Sequence, residues 1–331
     1  MYKRQVDTVR ANITYPNNTI TQITLSQGIG NTYNNTFTAP NLAGTYTVRI
    51  IANDTVSNIN SSETTTFVIV NDPPNPSSTQ IHAGNDITLT SGTNTTIIGN
   101  ATVTDLNGYN DITSVTGYLF LTTTGVDAAD NRTTHYTSAC TDNGDGSGNT
   151  VTYNCTFNVS HYATPTDAGS NQSATNWTFQ ISPLDAQSEG TNATDVVELN
   201  TLLSFTINPS TIDFGALNLG ENTTNTNQEI NVTNRGNVGL DILLSGTNFS
   251  CTPGIIPVNF LEYEDNPFSY GVGTDLLETG VELDLDARVG YEGNETPLRI
   301  TYYGLGSPGS SVGGSCSGTI TITGQGDPHT D

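Results

Sequence analysis

Along most of this chain apolar and polar residues alternate, as in Tyr46-Thr47-Val48-Arg49-Ile50 and Leu283-Asp284-Leu285-Asp286-Ala287. A period of two turns one face of an extended strand inward, and runs at helical spacing are missing, so the pattern predicts an all-β chain with almost no helix. Gly, Asn, Asp and Pro separate short strands throughout, which predicts several β-sandwich domains in a row. Strand candidates include Asp86 to Thr90, Thr96 to Thr104, Leu240 to Leu244 and Gly318 to Thr323. Alternation also marks Tyr33, Phe37, Tyr46, Tyr153, Phe157, Trp177, Phe179 and Phe214 as core anchors.

The pattern repeats. Thr32-Tyr33-Asn34-Asn35-Thr36-Phe37 is echoed by Thr152-Tyr153-Asn154-Cys155-Thr156-Phe157, and Tyr46 precedes Asp54 by the eight residues that separate Trp177 from Asp185. Val6 to Arg10 resembles Ile112 to Thr116 in the same order. The second copy carries a front section, Ile81 to Asp111, that has no counterpart in the first. The chain is therefore expected to open inside a domain, leaving an apolar groove and unpaired strand edges. Either upstream sequence of the same polypeptide or a strand from another subunit would fill the gap, and donation between subunits would build a filament. Asn71-Asp72-Pro73-Pro74-Asn75-Pro76 reads as a stiff linker. The expected domains are 1–72, lacking its first strands, 73–199, a complete copy, and 200–331, of different design.

Composition adds a location. Seventeen Asn-x-Ser/Thr triplets begin at Asn12, Asn17, Asn34, Asn53, Asn60, Asn94, Asn100, Asn131, Asn154, Asn158, Asn171, Asn176, Asn192, Asn222, Asn231, Asn248 and Asn294. Random order would give roughly nine or ten such N-glycosylation acceptors in a chain this rich in Asn, Ser and Thr. Five have a large apolar residue in the middle: Ile13, Val159, Trp177, Val232 and Phe249. On a strand, burying that residue turns the Asn and its hydroxyl partner outward together. The formal charge is −24, with one Lys and seven Arg, which excludes nucleic-acid or anionic-membrane surfaces built on basic patches. No apolar run approaches the length of a membrane span, and no secretory leader is legible at the start of the chain.

Four cysteines fit an oxidising compartment. Cys140 and Cys155 flank the turn-rich Asp142 to Asn149 and are expected to face each other across a hairpin, which leaves Cys251 to pair with Cys316. No Cys-x-x-Cys pair suggests zinc. Calcium is the one metal the loops allow: Asp105, Asn107 and Asp111 alternate around a Gly, although Asp, Asn and Gly also simply make turns. Asp54 and Asp185 are expected to cap or stabilise a turn. Glu262, Glu264, Asp265, Asp284 and Asp286 read as the outer face of a sandwich rather than a catalytic pair. No Ser has a plausible His partner and no G-x-S-x-G elbow occurs, so no enzyme is expected. A single Lys, Lys3, leaves no material for isopeptide cross-links in three domains.

The strand Gly44-Thr45-Tyr46-Thr47-Val48 followed by Ala52-Asn53-Asp54-Thr55 resembles the immunoglobulin-like repeats of microbial, especially archaeal, surface proteins. Ile212-Asp213-Phe214-Gly215, Gly220, Ile230 to Asn237 and Leu240-Asp241-Ile242 resemble the opening of the Hydin-type and major-sperm-protein-like immunoglobulin fold. The resemblance implies three tandem immunoglobulin-like sandwiches on a cell surface, in a tethering or scaffolding role without a substrate. It points to a structural subunit of a filament, layer or stalk, with other copies or neighbouring surface proteins as partners and N-linked glycans as the expected decoration. The alternative is an adhesin or carbohydrate-binding module using Tyr2, Tyr118, Tyr162, Tyr263, Tyr270, Tyr302 or Tyr303. An enzyme's accessory domains are a third reading.

Overall fold

The first run of alternating residues folds into a single layer. In the computed structural model, which describes residues 5–290 and 297–327, it gives β1 (Val6–Thr14), β2 (Ile20–Gln27), β3 (Tyr33–Asn34), β4 (Gly44–Asp54), β5 (Ile59–Asn60) and β6 (Thr64–Ile69). All six belong to one sheet, ordered β3-β2-β1-β4-β5, with β6 also paired to β4. The register sets Ala11 between Ile23 and Ile50, Val9 between Leu25 and Ala52, and Tyr46 beside Phe67. These apolar residues therefore share one face, while Arg10, Asn12, Gln22 and Arg49 share the other.

The second module is a full sandwich. Its strands are β7 (Asn75–Ile81), β8 (Thr95–Thr104), β9 (Ile112–Leu121), β10 (His135–Ala139), β11 (Thr141–Asp142), β12 (Thr150–Val159), β13 (Trp177–Asp185) and β14 (Ala193–Val197). They form two four-stranded sheets, β10-β9-β13-β14 and β11-β12-β8-β7. Between the sheets lie Ile97, Leu119, Phe157, Trp177, Phe179 and Ile181, none more than 2% exposed. Layers pack tightly enough that a Cβ on Gly99 would sit 2.6 Å from the Phe179 ring. The predicted linker is shorter than expected: the ladder already begins at Asn75, and Pro76 pairs with Val103. Pro is tolerated there because β7 is an edge strand, where a missing N–H leaves no neighbour unpaired. The predicted strand at Asp86–Thr90 is instead a single parallel bridge, Ile87 to Leu199, with Ile87 and Leu89 plugging the core.

Backbone register identifies the two modules as copies. Val6, Thr8 and Val9 pair with Asp54, Asn53 and Ala52, with a bulge between Val6 and Thr8. Ile112, Ser114 and Val115 pair with Asp185, Leu184 and Pro183 across the same bulge. The order β2-β1-β4-β6 thus matches β10-β9-β13-β14. What the first module has no counterpart of, among the described residues, is the second sheet.

The third module begins with β15 (Phe205–Asn208), β16 (Gln228–Asn234), β17 (Leu240–Gly246), β18 (Phe249–Ser250), β19 (Ile255–Ile256) and β20 (Leu261–Glu264). It continues with β21 (Thr274–Asp275), β22 (Val281–Ala287), β23 (Leu298–Leu305) and β24 (Ile320–Gly326). A five-stranded sheet, β15-β16-β23-β20-β21, faces a three-stranded one, β22-β17-β24, and β18 pairs β19. Val232, Leu240, Ile242, Leu244, Tyr263 and Tyr303 fill the space between them. Helix is confined to three single 3-10 turns among the described residues. The fold is all-β, and no described helix is long and apolar enough to cross a membrane.

Candidate functional site

Two places stand out, both produced by the repeat. The first is the apolar face of the single-layer module. Tyr46 is fully buried there, stacked on Phe67 at 4.8 Å and donating its hydroxyl to the Leu42 carbonyl at 2.8 Å. Its copy, Trp177, does the same job with Nε1, which donates to the Thr164 carbonyl at 2.9 Å. Beyond this aromatic end the copies diverge. Phe179 and Ile181 are fully buried, whereas their equivalents Val48 and Ile50 are only half-buried. The difference is the missing layer: in module two β8 and β12 cover those positions, and Phe157 meets Phe179 edge-on at 5.9 Å. In module one the segment matching β12 has no β8 to join, so Tyr33 and Asn34 pair instead with Gln27 and Ser26 of β2. Tyr33 and Phe37 are therefore half-buried rather than the core anchors expected.

The second place is the hinge between modules one and two. Asp105 follows β8, Asp111 precedes β9 and Asp185 ends β13, and one carboxylate oxygen from each lies within 4.8 Å of the other two. Asp185 holds a turn as expected: its Oδ1 accepts from the backbone N of Gln187 and of Ser188, both at 2.6 Å. Asp54 holds the equivalent turn through Val56 N and Asn58 N. Asp105 Oδ1 accepts from Asn107 N at 2.7 Å. The other oxygens, Asp105 Oδ2 and Asp111 Oδ2, are buried without a donor. Asn71, in the linker, donates to Asp185 Oδ2 at 2.8 Å, and its own Oδ1 is likewise buried without a donor. Burial, followed by neighbouring carboxylates, pushes Asp105 and Asp111 above the usual carboxylate range. Burial also acts to raise Asp185, but the hydrogen bonds from Asn71, Gln187 and Ser188 outweigh it and hold that carboxyl low. Full charges this close repel by at least ~3.5 kcal/mol per pair at an effective dielectric of about 20.

Sequence reasoning singled out Asp105, Asn107 and Asp111 but not Asp185 as a partner, because 74 residues separate Asp111 from it and only the sheet order brings them together. Asn107 has another role. Its Oδ1 accepts from Asp72 N at 2.6 Å, and its Nδ2 donates to the Asn41 and Val70 carbonyls at 2.9 and 3.4 Å. It ties the loop of module two to module one.

Other predicted positions sort simply. The sixteen described acceptor Asn are exposed or half-buried, whereas the fully buried Asn234 and Asn237 lie outside the acceptor pattern. Asn294 lies outside the described residues. Ile13, Val159, Trp177, Val232 and Phe249 are all buried, but Ser160 and Thr178 are buried with them, so outward display holds for the Asn and not for every hydroxyl. The disulfides are Cys140–Cys155 and Cys251–Cys316. The first sits where the chain leaves β10 and crosses to the sheet of β11 and β12. Glu262 is not on the outer face: it is 5% exposed and accepts from Gly271 N and Gly273 N. Tyr263 and Tyr303 are core residues, so they are not available to a sugar. Tyr2 lies outside the described residues. His135 is buried, with Nδ1 at Asp130 Oδ1 (2.8 Å) and Nε2 at the Val126 carbonyl (2.9 Å), leaving neither nitrogen for a nucleophile. Phe214 lines an open groove of about 890 Å³ beside β24, with Ile212, Leu217, Ile320 and Ile322, which is why it is only half-buried.

No family model matches the chain, and no curated protein matches it. Among solved structures, it is similar to a tetra-tandem repeat in the extending region of a large adhesion protein (14% identity, 97% of this chain and 67% of that chain, TM-score 0.31). It is also similar to the FN1–FN3 domains of chicken CNTN1 (13% identity, 96% and 90%, TM-score 0.21). A third is trypsin-activated alpha-2-macroglobulin from Escherichia coli (12% identity, 96% and 21%, TM-score 0.21).

Proposed function

We propose that this chain is a non-catalytic structural subunit of an extracellular filament, layer or stalk, and that its first module is completed by strands donated from a neighbouring copy. The observation that carries this reading is the one-layer sheet, whose apolar face matches the face that module two covers with β7, β8 and β12. Val9, Ala11, Ile13 and Tyr46 are buried on this face while Ile23, Leu25, Val48 and Ile50 are only half-buried, and a part-covered apolar face flanked by strand edges associates with another chain or aggregates. Supporting the extracellular part are the two disulfides, which persist in oxidising compartments. Outward acceptor Asn on all three modules fit a glycan coat that leaves open faces as the sites of contact.

The test is light scattering and negative-stain microscopy of the intact chain across a range of concentration. Growth into regular polymers is expected, with Ile50→Asp abolishing growth while modules two and three melt as before. A synthetic peptide of the β8 sequence is expected to cap the face and compete with growth. A chain that stays monomeric when concentrated and takes up no peptide would overturn the reading.

A further inference from the structure

We infer that the hinge between modules one and two is a calcium site, with Asp105, Asp111 and Asp185 as carboxylate ligands and the Asn71 side chain as a fourth oxygen donor. The site rests on its own geometry and stands whether or not the open face of module one is filled by another copy. Asp105 Oδ2 and Asp111 Oδ2 are buried with no hydrogen-bond donor, and so is Oδ1 of Asn71, whose amide nitrogen lies 2.8 Å from Asp185 Oδ2. Buried acceptors are rarely left so, and a cluster of them beside a third carboxylate calls for a positive charge. No Lys or Arg among the described residues supplies it: none forms an ion pair with any of the three carboxylates. Asp105 is fully buried and Asp185 nearly so, which rules out simple screening by bulk solvent.

The donor set chooses the ion. All candidate ligands are carboxylate or amide oxygens, without His or Cys, which selects a hard cation over zinc or copper. The donors come from a linker, two loop ends and a strand end, an irregular arrangement of the kind calcium accepts and magnesium, held to near-ideal octahedra, does not. Position gives the ion its effect. Asn71 belongs to the connection, Asp185 to β13, and Asp105 and Asp111 to the loop that Asn107 ties to Asn41 and Val70 of module one. Filling the site would fix the angle between the two modules, turning a hinge into a strut.

The intact chain is titrated with Ca²⁺ by calorimetry and melted in Ca²⁺ or chelator, and its maximum dimension is followed by X-ray scattering. One site with a Kd of about 0.1–1 mM is expected, in the range of extracellular modules. Ca²⁺ should raise the melting temperature of module two and narrow the spread of interdomain angles. Asp111→Asn keeps the size of a half-buried side chain and removes one repelling charge, so the variant should fold. It is expected to melt at or above wild type in chelator and to gain nothing from Ca²⁺. Absence of heat and of any shift at millimolar Ca²⁺ would overturn the assignment, as would an Asp111→Asn chain that responds like wild type. Equal binding of Mg²⁺ would overturn the choice of ion.

Discussion

Trp177 has no exposed surface, stands between Tyr136 and the floor of module two, and ties down the Thr164 loop through its ring nitrogen. Trp177→Ala removes packing and leaves the Thr164 carbonyl without its donor, so a loss of about 3–5 kcal/mol is expected in calorimetric unfolding of that module. Tyr136 and Tyr303 give a second readout. Burial, the largest cause for each, pushes both phenols up to about 12. An unfolded tyrosine ionises near pH 10, so between there and about 12 the unfolded chain releases protons the folded one keeps. Stability contributed by the neutral phenols is therefore complete below pH 10 and lost as pH rises through that window. Tyrosinate absorbance should rise together with loss of β circular dichroism, and Tyr303→Phe should soften the loss. At this scale alternation told which aromatics lie inward, as at Tyr46, Phe157 and Trp177, but not how completely they are covered. Cover depends on the opposite layer, which for Phe37 and Phe214 is missing or parted.

Whole strands follow the same logic. The repeat between Val6 to Arg10 and Ile112 to Thr116 was legible in side-chain type, and the bulge shared by Val6/Thr8 and Ile112/Ser114 shows the backbone obeying it. The single layer of module one, among the described residues, goes with a sequence in which Ile81 to Asp111 has no first copy. Less legible was β7, because local chemistry at Pro73, Pro74 and Pro76 argues against a strand while edge position removes the objection. Glu262 escaped for a related reason: alternation assigned it outward, but the turn through Gly271 and Gly273 folds back over it. The cysteines tie elements of different span, 15 residues for Cys140–Cys155 and 65 for Cys251–Cys316. Chain entropy alone makes the first worth about 3 and the second about 4 kcal/mol. Replacing each pair by Ser should lower the denaturant midpoint of module three more than that of module two, with neither change crossing to the other module.

For the molecule as a whole, the two junctions differ in kind. Modules two and three are held by a buried amide: Asn237 donates to the Ala163 and Asn200 carbonyls and accepts from Leu202 N, a bond set without charge. Modules one and two meet beside clustered carboxylates, through the side chains of Asn71 and Asn107. Local pattern singled out Asp105, Asn107 and Asp111 but not their partners across the junctions, because both junctions join residues far apart in sequence. The disulfide of module three has a further consequence for a chain under load. Its 65-residue span cannot lengthen while the bond is intact, which withholds about 230 Å of slack at ~3.5 Å per residue. When the chain is pulled from its ends, that slack sets how far module three can stretch once it unfolds, and a reducing environment would release it.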